Sequence, residues 1–205
     1  MRVAVVGGTG SFGTAVAKRL VEAGVEVVIG SRDAERARAT AAPLGAAGAD
    51  NDDAVRGVDL VVFAVKADAA VETARDLRPS IGSTPVLSVC SELTFGSGGV
   101  KPTREATSIA QRMQDELDAP VVAGLHSLAA STLDAAPPDE DALVCGDDEV
   151  AKGLALDLAG RLVSGRALDC GPLAGARALE GVTAVIVNLN KRYKGHAGIR
   201  VTGLP

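Results

Sequence analysis

The sequence predicts an α/β fold, a doubly wound parallel sheet of about seven to eight strands with a C-terminal helical segment. Short apolar, β-branched runs alternate regularly with helix-periodic segments along the chain. The runs themselves do not alternate apolar and polar residues, which is typical of strands buried on both faces of a parallel sheet. Hydrophobic residues make up 47% of the 205 residues, enough for one buried core. We therefore expect a single α/β unit over residues 1–205.

The N-terminal segments predict a β–α–β–α order. Val3–Val6 and Val25–Ile29 are buried strands, and Ser11–Ala23 between them has the spacing of an amphipathic helix. Asp33 is placed to cap a second helix that runs to about Ala42.

The later segments continue the alternation. The remaining predicted strands are Leu60–Val65, Pro85–Val89, Pro120–Ala123, Ala142–Cys145 and Arg166–Leu168. The remaining predicted helices are Ala69–Leu77, Thr103–Leu117, Asp148–Val163 and about Leu173–Tyr193. The predicted loops are Ala46–Asp53, which could include a very short strand and in which Asp52 or Asp53 could cap a single helical turn, the glycine-rich and mobile Cys90–Lys101, and Ser131–Asp141. The last helix is apolar nearly all round, so we expect it to pack on the sheet and on a partner subunit.

Composition excludes several function classes. Aromatic residues are only 2% and the net charge is −5, which disfavours a nucleic-acid partner. No apolar run reaches the roughly 18–20 residues that span a bilayer, so no membrane partner is expected. The three cysteines form no C-x-x-C pair, and no metal-ligand cluster or signal peptide is recognisable. We expect a reduced, cytoplasmic protein without a metal.

A glycine motif lies between the first strand and the first helix. Gly8, Gly10 and Gly13 fit G-x-G-x-x-G, in which the glycines permit a tight turn, a close approach to pyrophosphate and close packing of helix on strand. Backbone N–H groups at the helix N-terminus would point at the pyrophosphate. The motif in this context predicts a Rossmann-type dinucleotide site. Its candidate residues are Gly8, Thr9, Gly10, Ser11, Phe12 and Gly13.

A second spacing is also present. Gly7, Gly10 and Gly13 fit G-x-x-G-x-x-G, the spacing of short-chain dehydrogenases, which use a Tyr-x-x-x-Lys pair for proton transfer. The single tyrosine is Tyr193, and Ala197 stands four residues further on. Short-chain chemistry is therefore excluded, whereas a non-catalytic NADP-sensing module stays open.

The end of the second strand indicates which nucleotide binds. An acidic residue there would hold the ribose 2′-OH of NAD. Ser31 and Arg32 take that place, with Arg36 one helical turn further on. A hydroxyl and two guanidinium groups suit a 2′-phosphate, so the sequence predicts NADP(H).

Other strand ends supply candidate walls for the nicotinamide. Ligands of open α/β sheets bind beyond the carboxyl ends of the strands, which points to Ala64, Val65 and Cys90. We interpret Cys90 as a small apolar wall because no base stands near it in sequence. His126 also follows a strand, where a ligand role and a structural role are both open. Ala130, in the loop after this histidine, is a further candidate for cofactor binding.

With no acid–base constellation in view, the sequence suits hydride transfer between two bound cofactors, which depends mainly on their juxtaposition. Over nearly its whole length the chain resembles the coenzyme F420-dependent NADP reductases. The resemblance rests on the glycine loop, Gly30-Ser31-Arg32, Thr73-Ala74-Arg75-Asp76-Leu77, Leu125-His126, Val144-Cys145-Gly146-Asp147-Asp148, Leu168-Asp169-Cys170-Gly171-Pro172-Leu173, Arg177, Glu180, Thr183 and Asn188.

The resemblance implies an oxidoreductase that transfers a hydride between NADP(H) and the deazaflavin F420. It implies a homodimer in which NADP lies along the glycine loop and the deazaflavin stacks on the nicotinamide. Residues matching His126, Arg177 and Thr183 would orient the acceptor. A dinucleotide-binding core of about residues 1–124 and a C-terminal extension of about 125–205, which completes the acceptor side and the dimer contact, follow from it.

The chain departs from the family pattern at three places. Leu128-Ala129-Ala130 stands where the family has a proline, Gly181 replaces a serine, and the segment between strands two and three is shorter. The cytoplasmic reductase domains of iron-reducing membrane proteins look similar over the same loop and use an ordinary flavin. An NADPH-dependent FMN or FAD reductase is therefore the alternative.

Overall fold

A computed structural model describes residues 1–204. The strands are β1 (Arg2–Val6), β2 (Glu26–Ser31), β3 (Ala47–Asp50), β4 (Leu60–Phe63), β5 (Val86–Ser88), β6 (Leu93–Gly96), β7 (Gly99–Pro102), β8 (Val121–Gly124), β9 (Ala142–Gly146) and β10 (Ala167–Asp169). The α-helices are α1 (Ser11–Glu22), α2 (Ala34–Ala41), α3 (Asn51–Ala54), α4 (Ala67–Ile81), α5 (Ile109–Glu116), α6 (Ala130–Ala135), α7 (Glu149–Leu162) and α8 (Ala176–Tyr193). Short 3₁₀ turns cover Ala42–Leu44 and Leu173–Gly175.

Eight strands form one sheet in the order β10-β9-β8-β5-β4-β1-β2-β3, which confirms the predicted α/β class. The order steps outward from β1 in both directions, as a doubly wound fold requires. The inner strands are apolar on both faces: the β1 residues Val3–Val6 and the β4 residues Leu60–Phe63 are fully buried. Val3 and Val5 belong to one core cluster and Ala4 and Val6 to the other, because successive side chains of a strand point to opposite faces.

One pairing corrects the expectation of an all-parallel sheet. β9 runs antiparallel to β8, with Ala123 opposite Cys145, and β10 is then parallel to β9. The connection from β8 to β9 contains only the six-residue α6, a length of about 9 Å at the usual helical rise. Such a helix is too short to run back along the sheet, so β9 starts from the end at which β8 stops.

Three further segments differ from the sequence-based expectation. Cys90–Lys101, expected to be a mobile loop, contains the β6–β7 hairpin, in which Thr94 lies opposite Lys101. The fifth helix begins at Ile109 rather than Thr103, because Ser108 and Gln111 form a capping box there. Asp50, rather than Asp52 or Asp53, caps the short α3.

Candidate functional site

Two adjoining cavities lie beyond the carboxyl ends of β1, β2, β4 and β5. The glycine-loop cavity, of about 470 Å³, is lined by Gly7, Thr9, Gly10, Ser31, Arg32, Arg36, Asn51, Thr73 and part of the β4 exit. The hairpin cavity, of about 590 Å³, is lined by Phe12, Val89, Cys90, Ser91, Glu92, Leu93, Phe95, Thr183, Val187 and the same exit. Both cavities share the wall Ala64–Lys66 and Asp68. Two ligands occupying them would therefore meet at this shared wall.

The glycine loop is shaped by contacts that exclude side chains. Gly7 has a φ of +80°, which favours glycine. A Cβ on Gly13 would lie 2.6 Å from the Gly7 carbonyl oxygen, so helix α1 approaches the loop as closely as the motif predicts. Gly10 caps α1 without a side-chain hydrogen bond, which leaves N–H groups of the first turn available to an anion. Gly8 and Gly13 thus shape the loop, while Thr9 and Gly10 line the cavity.

The end of β2 presents donors to the glycine-loop cavity. The Ser31 hydroxyl oxygen accepts a bond from the Asp33 N–H at 3.2 Å, so its own proton is free to donate. Asp33 uses its carboxylate to cap α2, accepting from the N–H groups of Glu35 and Arg36. Arg32 and Arg36 line the same cavity. Within residues 1–204, neither guanidinium makes a salt bridge.

Asn51 lines the glycine-loop cavity and was missed by sequence reasoning. It opens α3 directly after β3, and Ser31 lies opposite Asp50 in the β2–β3 pairing. Its side chain is 9% exposed, and its Oδ1 has no hydrogen-bond partner among the described residues. The sequence leaves open a very short strand in Ala46–Asp53 but does not fix where it ends. With β3 ending at Asp50, the strand-end rule selects Asn51.

Cys90 lies in the wall of the hairpin cavity, where it was expected. Its Sγ donates to the carbonyl oxygens of Phe63 and Val65, each at 3.3 Å. Burial raises the pKa of this thiol to about 12, so it is protonated near neutral pH. Cys90 is therefore suited to a packing role and not to nucleophilic attack.

His126 is buried behind the cavities. Its side chain is 4% exposed, lies outside both cavity linings, and donates from Nε2 to the Cys90 carbonyl oxygen at 3.1 Å. Burial lowers the pKa of the imidazole to about 4, so the ring is neutral. Leu125, with a φ of +64°, forms the turn before it. Because a carbonyl only accepts, the proton is on Nε2, and Nδ1 is left without a partner among residues 1–204.

Arg177 is engaged by the protein itself. It donates to the Thr103 carbonyl at 2.6 Å, to the Glu105 carbonyl at 3.1 Å and to the Glu180 carboxylate at 2.7 Å. Glu180 is 1% exposed, and burial raises its pKa while Arg177 opposes the shift. Arg177 therefore anchors the segment after β7 to helix α8. It does not line either cavity, and neither does Ala130, which opens α6.

Thr183 is the one acceptor-side candidate that lines the hairpin cavity. Its hydroxyl donates to the His126 carbonyl oxygen at 2.9 Å and lies 2.9 Å from the Ser91 hydroxyl. Helix α8 also holds the hairpin, because the Asn188 amide bonds both the N–H and the carbonyl of Val100. Ser91, Glu92 and Phe95 were not predicted, since the segment that carries them was interpreted as a loop.

Residues 1–204 contain neither a metal-ligand cluster nor a membrane-spanning helix. No group of three or more His, Cys, Asp or Glu side chains is arranged to hold a metal ion. No helix in the same range combines the length and apolarity needed to cross a membrane.

Two relatives match the chain from end to end. An F420-dependent NADP reductase of Methanothermobacter thermautotrophicus is 34% identical over 223 residues, covering 100% of this chain and 96% of the relative. The F420-dependent NADP reductase of Methanocaldococcus jannaschii is 32% identical and covers 100% and 99%. This chain belongs to the F420-dependent NADP reductase family.

The family model for coenzyme F420-dependent NADP oxidoreductases matches residues 2–92. That range includes the glycine loop, the Ser31-Arg32 end and the shared wall, whereas His126, Arg177 and Thr183 lie beyond it. A 1.70 Å crystal structure from Arthrobacter sp. FB24, provisionally assigned as an F420-dependent NADP reductase, is 25% identical with a TM-score of 0.83 and covers 99% of this chain and 100% of that one. A Plasmodium falciparum pyrroline carboxylate reductase with NADP bound, at 14% identity and a TM-score of 0.64, covers 95% of this chain and 64% of its own and shares the fold.

Proposed function

We propose that this family member transfers a hydride reversibly between NADP(H) and coenzyme F420. The observation that carries the proposal is the match of the whole chain to F420-dependent NADP reductases, combined with two cavities that meet at one wall. Two cofactors that exchange a hydride need that arrangement, since their reactive carbons must come into contact.

The residues of the glycine-loop cavity fit NADP. N–H groups of the first turn of α1 suit the pyrophosphate, and the uncapped helix start supports this. The Ser31 hydroxyl, with its proton free, suits the 2′-phosphate together with the guanidinium groups of Arg32 and Arg36. Asn51, which lines this cavity, binds the ribose or the adenine in this proposal. Gly8, Ser11, Phe12 and Gly13 keep the loop close to the phosphates.

The residues of the hairpin cavity suit a flat, mostly apolar ring system. Ala64, Val65 and Cys90 supply small walls, and Phe12 and Val187 supply apolar surface. In this proposal residues 1–124 hold NADP, and residues 125–205 complete the acceptor side. Thr183 faces the acceptor, whereas His126 and Arg177 act from behind by holding Thr183 and the segment after β7. Ala130 contributes only through the packing of α6.

The bound cofactors supply the redox chemistry, since NADPH carries a hydride and F420 accepts one. The chain contributes binding, orientation and exclusion of water. Cys90 keeps its proton and His126 stays neutral at neutral pH, so neither changes its charge while the cofactors react. We therefore expect hydride transfer with little dependence on these two groups between pH 6 and 8, as a flat single-turnover rate would show.

A spectrophotometric assay of NADPH oxidation with F420, FMN and FAD as separate acceptors tests the function. We expect turnover with F420, and the reverse reaction with NADP⁺ and reduced F420. Turnover with FMN or FAD and none with F420 would favour a flavin reductase. Tight NADPH binding with no oxidation by any acceptor would favour an NADP-sensing module.

We also propose a cytoplasmic homodimer that associates through α8. Val185, Leu189 and Tyr193 are 55%, 40% and 72% exposed, and their spacing of four residues forms one apolar stripe on the helix. Cys90, Cys145 and Cys170 are all free thiols, in keeping with a reducing compartment. Sedimentation equilibrium should give a dimer for the wild type and a monomer for Leu189→Glu. A wild-type monomer would contradict the association.

A further inference from the structure

We propose that Ser91 is a specificity residue that presents only hydrogen-bond acceptor capacity to the hairpin cavity, so that it binds an N–H group of the cofactor bound there. The inference rests on the proposed function and adds to it which chemical group Ser91 recognises. It follows from the direction of two hydrogen bonds.

The chain of bonds begins at a group that can only accept. The His126 carbonyl oxygen lies 2.9 Å from Thr183 Oγ1. A carbonyl has no proton, so the Thr183 hydroxyl must donate to it. A threonine hydroxyl carries one proton, and this bond uses it.

The direction of the Thr183–His126 bond fixes the direction of the Ser91–Thr183 bond. Ser91 Oγ lies 2.9 Å from Thr183 Oγ1, and either oxygen could donate if the pair were isolated. Because the Thr183 proton is already used, the two bonds coexist only when Ser91 donates to Thr183. The Ser91 hydroxyl then has lone pairs and no proton left for a third partner.

Ser91 and Thr183 both line the hairpin cavity, so a ligand bound there lies next to Ser91. The neighbouring Glu92 reinforces this polarity. Its carboxylate accepts from the Thr103 hydroxyl and from Arg112, each at 2.9 Å, and it lines the same cavity. Two adjacent side chains therefore offer hydrogen-bond acceptors. A ligand with a donor at this position satisfies them without breaking an existing bond, whereas a ligand with an acceptor does not.

Reversing the bonds would be unfavourable. If a ligand accepted from Ser91, the Ser91–Thr183 bond would be lost, and the Thr183 oxygen would lose a partner in a partly buried position. The cavity therefore discriminates by hydrogen-bond polarity in addition to shape.

Two cofactor groups have the required chemistry: the ring imide N–H of the deazaflavin, which occupies the hairpin cavity in the proposed function, and the carboxamide NH₂ of the nicotinamide, which reaches this cavity where the two cofactors meet. Both are planar N–H donors conjugated to the reacting ring. The experiment separates them by removing one donor at a time. NADP⁺ is compared with its 3-acetylpyridine analogue, in which a methyl group replaces NH₂. F420 is compared with a derivative methylated at the imide nitrogen.

Each pair is measured against wild type and Ser91→Ala, by calorimetric Kd for the nucleotides and by KM and kcat for the deazaflavins. We expect wild type to prefer the donor-bearing member of one pair by about threefold to tenfold, and Ser91→Ala to lose that preference. The pair that shows the loss identifies the group that Ser91 binds. Because the readout is a ratio within one variant, an overall loss of affinity does not imitate it.

Two variants of Thr183 test the chain of hydrogen bonds from Ser91 through Thr183 to the His126 carbonyl. Thr183→Ser keeps a hydroxyl and should keep the wild-type preference. Thr183→Val removes the group that fixes the direction of the Ser91 proton, so the preference should weaken although Ser91 is intact. Ser97→Ala is the matched control, because Ser97 is exposed in the same hairpin and lies outside the cavity lining.

The inference is overturned if wild type and Ser91→Ala show the same ratio in both pairs. If the wild-type protein in that case still oxidised NADPH with F420, the proposed function would hold and only the role of Ser91 would be refuted. A wild-type protein that bound neither NADP⁺ nor F420 would overturn both.

Discussion

The two cavities are built in different ways. The glycine turn and the Ser31 donor of the glycine-loop cavity are positioned by neighbours in sequence: Gly13 packs on Gly7, and Asp33 bonds Ser31 and caps α2. The hairpin cavity depends on contacts between distant residues, since Ser91 meets Thr183 across 92 positions and Val100 meets Asn188 across 88. A cavity built from local turns can be recognised in a sequence motif, whereas a cavity built from distant side chains is defined only after folding.

Among the variants that test this contrast, Arg177→Ala has the largest expected effect. The structure makes Arg177 an anchor for Glu180 and for the segment after β7, so its removal leaves a buried carboxylate unpaired. We expect the free energy of unfolding to fall by about 3–5 kcal/mol in urea titration. Adding Glu180→Gln should restore part of the loss, because the amide carries no charge. An unchanged unfolding midpoint with a raised KM for the acceptor would make Arg177 a ligand residue.

The next largest expected effect is the pH dependence that His126 gives to the free energy of unfolding. Its folded-state pKa is lowered from 6.5 to about 4, so the native protein favours the neutral ring. The resulting stabilisation is complete above pH 6.5, is lost as the pH falls to about 4, and amounts to about 3 kcal/mol.

The matched variant is His126→Gln, whose amide can donate to the Cys90 carbonyl but does not titrate. The difference in unfolding free energy between wild type and variant should shrink from pH 7 to pH 4. Using the difference cancels the opposite contributions of Glu140 and Glu180, whose pKa values burial raises. A difference independent of pH would contradict a buried neutral imidazole.

Arg32→Ala tests the glycine-loop cavity by itself. Losing a charge-assisted contact to the 2′-phosphate should weaken NADP⁺ binding by about tenfold to a hundredfold, with little effect on NAD⁺. Arg38→Ala is the control, since Arg38 is an exposed arginine on the following helix α2 and lies outside the cavity lining. Equal wild-type affinities for NADP⁺ and NAD⁺ in calorimetry would refute the assignment of the nucleotide.

The smallest test compares two helical glycines. A Cβ on Gly13 meets backbone at 2.6 Å, whereas nothing lies within 4 Å of one on Gly153 in α7. We expect Gly13→Ala to destabilise the protein by about 1–3 kcal/mol and to weaken NADP⁺ binding. Gly153→Ala should stabilise it by about 0.5–1 kcal/mol, as helix propensity dictates. Similar thermal shifts for the two variants would argue against a tightly packed glycine loop.

Most of the fold could be predicted because each strand and helix has a pattern within its own short stretch of sequence. The apolar runs at Val3–Val6 and Leu60–Val65 indicate buried strands, and the regular alternation implies crossovers of one hand. The direction of β9 could not be predicted, because it depends on whether the Ser131–Asp141 segment crosses the sheet. The hairpin was missed for a similar reason: β6 and β7 are four residues each and are held in place by Asn188.

The sequence by itself predicted the half of the site that we propose for the nucleotide. The positions of Gly10, Gly13, Ser31 and Arg32 relative to the first two strands define that half, because a turn, a helix start and a strand end are local structures. Only the tertiary structure decided the other half. It buries His126, occupies Arg177 with protein groups, and brings Ser91 to Thr183. The physical reason is that hydrogen-bond direction and burial are properties of neighbours in space. His126 bonds a residue 36 positions away, Arg177 bonds Thr103 74 positions away, and Ser91 lies 92 positions from Thr183.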